Sequence, residues 1–253
     1  MWDAFLQYLP PFPAFSLLVV TAFLGGVMRG FSGFGAGLLI APVYVLIIPP
    51  SDVVVVILLL NLVTTLPMFR EAKADVEWPL VWRIFFPSLL GIPLGLAMLH
   101  MVDPVILRRA VSCIVSLVAA FMLAGWVYRG ARGRVQDGVA GALSGYLTAI
   151  GGIGGPPLVL YLLSDKSIRP TRFRAFSLIF FMLSQIATLV PMMLTGMLTR
   201  SQLAVCAALL FPYVIANQLG AFLHRKTASH REALVRRICL LFLLFIGIVT
   251  LLL

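Results

Sequence analysis

The chain has 253 residues, of which 61% are hydrophobic and only 11% charged, with a formal net charge of +10 and a mean hydropathy of +1.07. A soluble domain carries about twice that share of charge, and apolar runs recur from residue 14 to Leu253, which excludes a soluble enzyme and a soluble body on one anchor. In such a chain the excess of Lys and Arg records orientation across a bilayer rather than nucleic-acid binding.

The N-terminus has Asp3 and no basic run, so the first apolar stretch is expected to stay in the protein rather than act as a cleaved leader. That stretch divides at its glycines into segments 14–28 and 34–48. Each would be about 22 Å long as a helix, short of the roughly 30 Å apolar core of a bilayer. Full helices are expected over 53–69, 81–100 and 105–128. A basic connecting loop, 129–137, leads to a second glycine-broken pair, 138–150 and 153–163, and helices over 175–198, 202–223 and 232–253 complete the chain. Irregular backbone at membrane depth is tolerated only where protein buries it or water reaches it, so the two broken pairs mark the site. Trp2, Trp78, Trp82 and Trp126 read as interfacial anchors.

The chain also repeats itself. Gly30, Gly37 and Pro42 recur as Gly145, Gly152 and Pro157 at an offset of 115. Asn61, Thr64 and Pro67 recur as Gln185, Thr188 and Pro191 at 124, and Phe86, Pro87 and Gly95 as Phe211, Pro212 and Gly220 at 125. Read as ten segments, the chain places fifteen Lys and Arg on one side, in 70–83, 129–137, 164–174 and 224–237. The other side holds Arg108, Arg109 and Arg200, with Arg29 left at a hairpin tip. That asymmetry puts both termini outside; eight single spans would divide the charges only 11 to 7. Five segments per repeat is an odd number, so the second repeat starts on the opposite side. The expected fold is an all-α polytopic membrane protein, one transmembrane domain over 1–253. Its two inverted-topology repeats cover about 14–128 and 138–253, each opening with a glycine-broken, re-entrant or discontinuous hairpin.

Gly30-Phe31-Ser32-Gly33 has the G-x-S-G spacing found around the nucleophile of intramembrane serine proteases. Such a serine needs a base within hydrogen-bond reach, but His100, His224 and His230 fall at segment ends or in a basic loop. The second repeat carries Leu147 where the first has Ser32, yet keeps its glycines. Backbone rather than a nucleophile is the shared feature, which points away from an enzyme and toward a transporter.

The paired motifs, G-F-x-G-F-G-x-G…P over Gly30–Pro42 and G-x-G-G-P-P over Gly152–Pro157, resemble the sulfite exporter TauE/SafE family, also called toluene sulfonate uptake permeases, over essentially the whole chain. The resemblance implies transport of small sulfur-containing anions such as sulfite or organosulfonates, often outward, across the bacterial inner membrane, with both termini then periplasmic. Members are commonly drawn with about eight spans, from which the ten segments depart. An uptake permease for another organic anion and a membrane scaffold without flux are the alternatives.

Several residues are candidates to touch the substrate. Gly33, Gly35 and Gly37 in the first break, and Gly151, Gly152, Gly154 and Gly155 in the second, are too dense for helix packing alone. Pro156 suits the first turn of a new helix, whose N–H groups and positive dipole end form an anion seat. Arg29 is an ionisable group at depth, a functional candidate by default. Asn61, Thr64, Gln185 and Thr188 are polar within apolar spans, as lining groups or as interhelical hydrogen bonds worth roughly 0.6 kcal/mol each. Tyr213 and Asn217 follow Pro212 in a span. All nine acidic residues fall at segment ends or in loops, leaving no mid-membrane carboxylate for a coupling proton or Na⁺. Cys113, Cys206 and Cys239 sit singly as packing residues. No metal or cofactor is expected. The expected partners are the lipid bilayer and a small anion, with no nucleic acid; association into a homo-oligomer stays open.

Overall fold

In the computed structural model, residues 8–126, 128, 130–162 and 168–226 are described, together with Leu241, Leu244 and Val249. Among them the chain forms ten helices and no strand: α1 (Phe12–Ser32), α2 (Ala36–Tyr44), α3 (Pro50–Thr65), α4 (Phe69–Asp75), α5 (Trp78–Met101), α6 (Pro104–Leu123), α7 (Arg134–Gly151), α8 (Gly155–Leu162), α9 (Pro170–Leu194) and α10 (Arg200–Lys226). Each of the nine expected segments up to 202–223 is met by a helix. The expected helix 232–253 lies outside the described residues, apart from three isolated positions, as do loop residues 164–167 and 227–237.

Proline punctuates this architecture. Proline occupies the first or second position of α1, α3, α5, α6 and α9, where its missing N–H costs nothing and its fixed φ favours the helix. At α6 the Asp103 side chain adds a cap, accepting a hydrogen bond from the Val105 N–H at 2.8 Å. Five helices, α1, α5, α6, α9 and α10, are long and apolar enough to cross a membrane.

Three expectations are corrected. The arms of the first hairpin are unequal: α1 has 21 residues and α2 nine, so α1 alone, at about 31 Å, can cross. Glycines 25, 26 and 30 do not end α1 because neighbouring chain packs directly on them, and Arg29 lies in its last turn rather than at the tip. The segment 53–69 is not one helix. α3 stops at Thr65, and α4, expected as loop, leaves it at 76° to pack against α9. The third correction concerns the helix register, below.

The two most intimate helix pairs are α1 with α10 and α5 with α7, and glycine makes both possible. A Cβ on Gly91 would lie 2.0 Å from the Ala142 carbonyl oxygen and 2.8 Å from the Tyr146 nitrogen. A Cβ on Gly220 would lie 2.1 Å from the Val27 oxygen and 2.8 Å from the Phe31 nitrogen. In the reverse direction, Gly145 abuts the Ser88 oxygen and Gly30 the Asn217 oxygen, at 2.2 and 2.0 Å. Val27, Gly30 and Phe31 precede Ala142, Gly145 and Tyr146 by 115 residues, while Ser88 and Gly91 precede Asn217 and Gly220 by 129. Packing therefore pairs Gly220 with Gly91, one helical turn from the Gly95 that the sequence match selected. A four-residue slip leaves the same helix face in contact, so residue identity alone does not distinguish the registers.

Gly91→Val and Gly220→Val should each lower the thermal unfolding midpoint of the detergent-solubilised protein, by an overpacking cost of at least about 1–3 kcal/mol. Gly138→Ala, whose Cβ would meet only Pro87 at 3.7 Å, should not. Equal midpoints for all three would show that these backbone approaches do not hold the bundle.

Candidate functional site

Both helix breaks are made by glycine in the left-handed region. At the first, Gly33 (φ 83°) ends α1, its N–H bonded to the Arg29 carbonyl at 2.7 Å, and Gly35 (φ 92°) opens α2. At the second, Gly152 (φ 66°) ends α7, its N–H reaching the Thr148 carbonyl at 2.9 Å. The Ser144 hydroxyl then donates to the Gly154 carbonyl at 2.6 Å, and α8 opens with Gly155-Pro156-Pro157. The two turns touch. A Cβ on Gly37 would lie 2.0 Å from the Gly152 carbonyl oxygen, and one on Gly155 would come within 3.1 Å of the Phe34 ring.

Between the turns lies a cavity of about 20 Å³, room for a water but not for an oxyanion in this conformation. Of the candidates, Arg29, Gly35, Gly37, Asn61, Gly152, Gly155 and Gln185 line it. Asn61 and Gln185, paired across the repeat, thus face one space from α3 and α9. The first turn of α2 borders it as well, and N–H groups of a first helical turn have no acceptor within the helix.

Arg29 is 2% exposed. Its Nη2 donates to the Thr65 hydroxyl at 2.5 Å and makes a longer contact, 3.4 Å, to the Asn61 carbonyl. Its Nε is buried with no acceptor. Among the described residues the ion pairs are Arg83–Asp137 and Arg172–Glu77, so no carboxylate neutralises it. Gln185 is equally buried, its Oε1 without a partner.

The remaining candidates sit around this space rather than on it. Tyr213 reaches from α10 and donates its hydroxyl hydrogen to Asn61 Oδ1 at 2.5 Å, holding that amide in place. Thr64 and Thr188 turn their hydroxyls back to carbonyls of their own helices, Leu60 and Ser184. Asn217 is buried, with Nδ2 unpartnered. Gly33 packs against Arg174, Gly151 against Val111, and Gly154 against Thr148 and Ser144; Pro156 is buried in the first turn of α8. The Ser32 hydroxyl lies 2.8 Å from the Met28 and Phe34 carbonyls and has no histidine partner. The His224 ring meets Phe31 edge-on instead.

Sequence reasoning missed Phe34, Thr148 and Phe181, which also line the cavity. Thr148 carried a readable signal, since it lies four residues after Ser144 and four before Gly152, on one face of the broken helix. Phe34 stood inside the G-F-x-G-F-G-x-G motif without being singled out, and Phe181 carried no signal, being one of eighteen phenylalanines in an apolar chain.

The family model described as Sulfite exporter TauE/SafE matches residues 18–250. No curated protein and no solved structure matches the chain.

In proteoliposomes, Ser32→Ala should retain most flux of labelled sulfite, because its hydroxyl bonds only with nearby backbone, the Met28 and Phe34 carbonyls and the Phe34 N–H. Gly154→Val should abolish flux, since its Cβ would sit 2.0 Å from Thr148 Oγ1 and 2.5 Å from the Ser144 carbonyl. Gly35→Val should do the same through its positive φ, at a cost of about 1–2 kcal/mol. An inactive Ser32→Ala beside an active Gly154→Val would return the site to a nucleophile.

Proposed function

Because the chain belongs to the sulfite exporter TauE/SafE family, a family of membrane transporters, we propose that it carries a small sulfur-containing anion outward across a bacterial inner membrane by alternating access. The seat is the space between the two glycine turns, and the chain acts as a transporter, not an enzyme. The observation that carries this reading is Arg29, a guanidinium buried among apolar helices with an unsatisfied Nε and, among the described residues, no carboxylate beside it. An isolated buried charge costs several kcal/mol, and an anion in the adjoining cavity offsets that cost. The first turn of α2 adds oriented N–H groups, and α8, whose Pro156 and Pro157 carry no N–H, adds the positive end of its dipole, an arrangement used where discontinuous helices meet an anionic substrate.

Inverted repeats supply the motion. Equal contact registers of α1 on α10 and of α7 on α5 favour two copies of one unit, each lending its broken hairpin to the other's long helix. Rocking of one unit against the other then opens the seat to either side. The Lys/Arg-rich ends face the cytoplasm, and both termini face the periplasm.

Arg29→Gln should reduce sulfite counterflow in proteoliposomes by at least about tenfold, the loss of roughly one charge-assisted hydrogen bond, with membrane expression retained. Full counterflow in that variant would remove Arg29 from the seat. For topology, cysteines placed at residues 70–77 and 130–136 of a Cys-free chain should resist impermeant thiol reagents in intact cells, and those at 52 and 103 should label. Opposite labelling of 52 and 103 would restore eight spans and remove the inverted repeat.

A further inference from the structure

A second and larger cavity, about 300 Å³, opens at the Lys/Arg-rich end of the bundle and shares no lining residue with the central one. Three guanidiniums border it, those of Arg83, Arg132 and Arg172, against two carboxylates, Glu77 and Asp137. The difference, three minus two, leaves one positive charge among these residues. Three helices begin here as well. α5, α7 and α9 start after Glu77, Gly133 and Arg169, none with a side-chain cap, so three positive helix ends reinforce the guanidiniums.

Arg172 meets Glu77 at 2.8 Å with the two side chains 52% and 59% exposed, and a pair of that exposure contributes at most about 1 kcal/mol, so an entering anion can take Arg172 at small loss. Arg83 meets the buried Asp137 through Nε at 3.2 Å with its own side chain half exposed, so it can turn its terminal nitrogens to an anion without leaving that carboxylate. The carboxylates keep other partners. Asp137, only 3% exposed, still accepts the Tyr161 hydroxyl at 2.6 Å, and Glu77, 59% exposed, turns to water. Arg132 lies over the Tyr161 ring at 5.2 Å, which holds its charge at the rim.

We propose that this cavity is a second anion site, taking a small oxyanion group such as a sulfonate, sulfate or phosphate between Arg83 and Arg172. As a waiting position for exported substrate it rests on the function proposed above; as a binding site it does not. The oxyanion has two possible sources, a free anion or the phosphate of an anionic lipid headgroup.

Equilibrium binding of radiolabelled sulfate to the full chain, in nanodiscs of zwitterionic lipid, tests the site without any transport step. Binding should weaken as ionic strength rises and fall at least about tenfold in Arg83→Gln/Arg172→Gln. It should persist in Arg83→Lys/Arg172→Lys, with unfolding midpoints confirming that each variant is folded. Sulfate binding that is absent from the parent chain, or unchanged in the double Gln variant, overturns the proposal. Adding phosphatidylglycerol to the nanodiscs assigns the source: displacement of sulfate makes a lipid headgroup the resident, and undisturbed binding makes it a free anion. A protein that binds sulfate in this way yet moves no sulfite would keep this site and lose the transport reading.

Discussion

Carbonyl oxygens resting on glycine α-carbons hold this bundle together along its two closest helix pairs, α1 with α10 and α5 with α7. Side chains cannot occupy those contacts. The Ser88, Ala142, Asn217 and Val27 oxygens each lie about 2 Å from where a glycine partner's Cβ would stand. Without a hydrophobic force between helices in lipid, such close approach is the main source of packing attraction. The same contact joins the two turns, Gly37 against the Gly152 carbonyl. One physical device therefore both builds the scaffold and fixes the distance between the two short helices that frame the cavity.

That scaffold explains how a cation survives at Arg29. α3 supplies the Thr65 hydroxyl to its guanidinium, and Tyr213 of α10 fixes the neighbouring Asn61. These hydrogen bonds hold the charge without neutralising it. A structural arginine in a helical core is ordinarily given a carboxylate, and among the described residues Arg29 has none. Under the proposed function, withholding one leaves a site whose empty state carries an unneutralised charge and whose anion-bound state does not, which is what selective binding of an anion requires.

Much of the fold was legible because long apolar runs and dense glycines act locally. The apolar runs placed α3, α5, α6 and α9 within a few residues, and the glycine clusters that hold Gly33, Gly35 and Gly152 placed both breaks. Seven of the fifteen candidate residues line one cavity. What was not legible depends on tertiary contact. α1 continues through Gly25, Gly26 and Gly30 because neighbouring chain fills the space their missing side chains leave. The bend after Thr65 has no sequence signature beyond Pro67, and the one-turn slip between Gly95 and Gly91 is invisible to residue matching. Asp137 stood in an expected connecting loop, yet it is buried in the first turn of α7 between Arg83 and Tyr161.

The charge arithmetic of the central site bears on what it can carry. Among the described residues no carboxylate lines that cavity, so the seat holds one positive charge when empty and none when it holds a monoanion. A neutral loaded site avoids the desolvation penalty of moving net charge through the apolar middle of the bundle. A dianion would leave one negative charge there with no second cation beside it. Under the proposed function, the seat thus favours a sulfonate or a singly protonated sulfite over the dianion. Each outward passage still transfers one negative charge, gaining about 2.3 kcal/mol per 100 mV in a cell negative inside. With that gain available, export needs no coupling carboxylate at the seat.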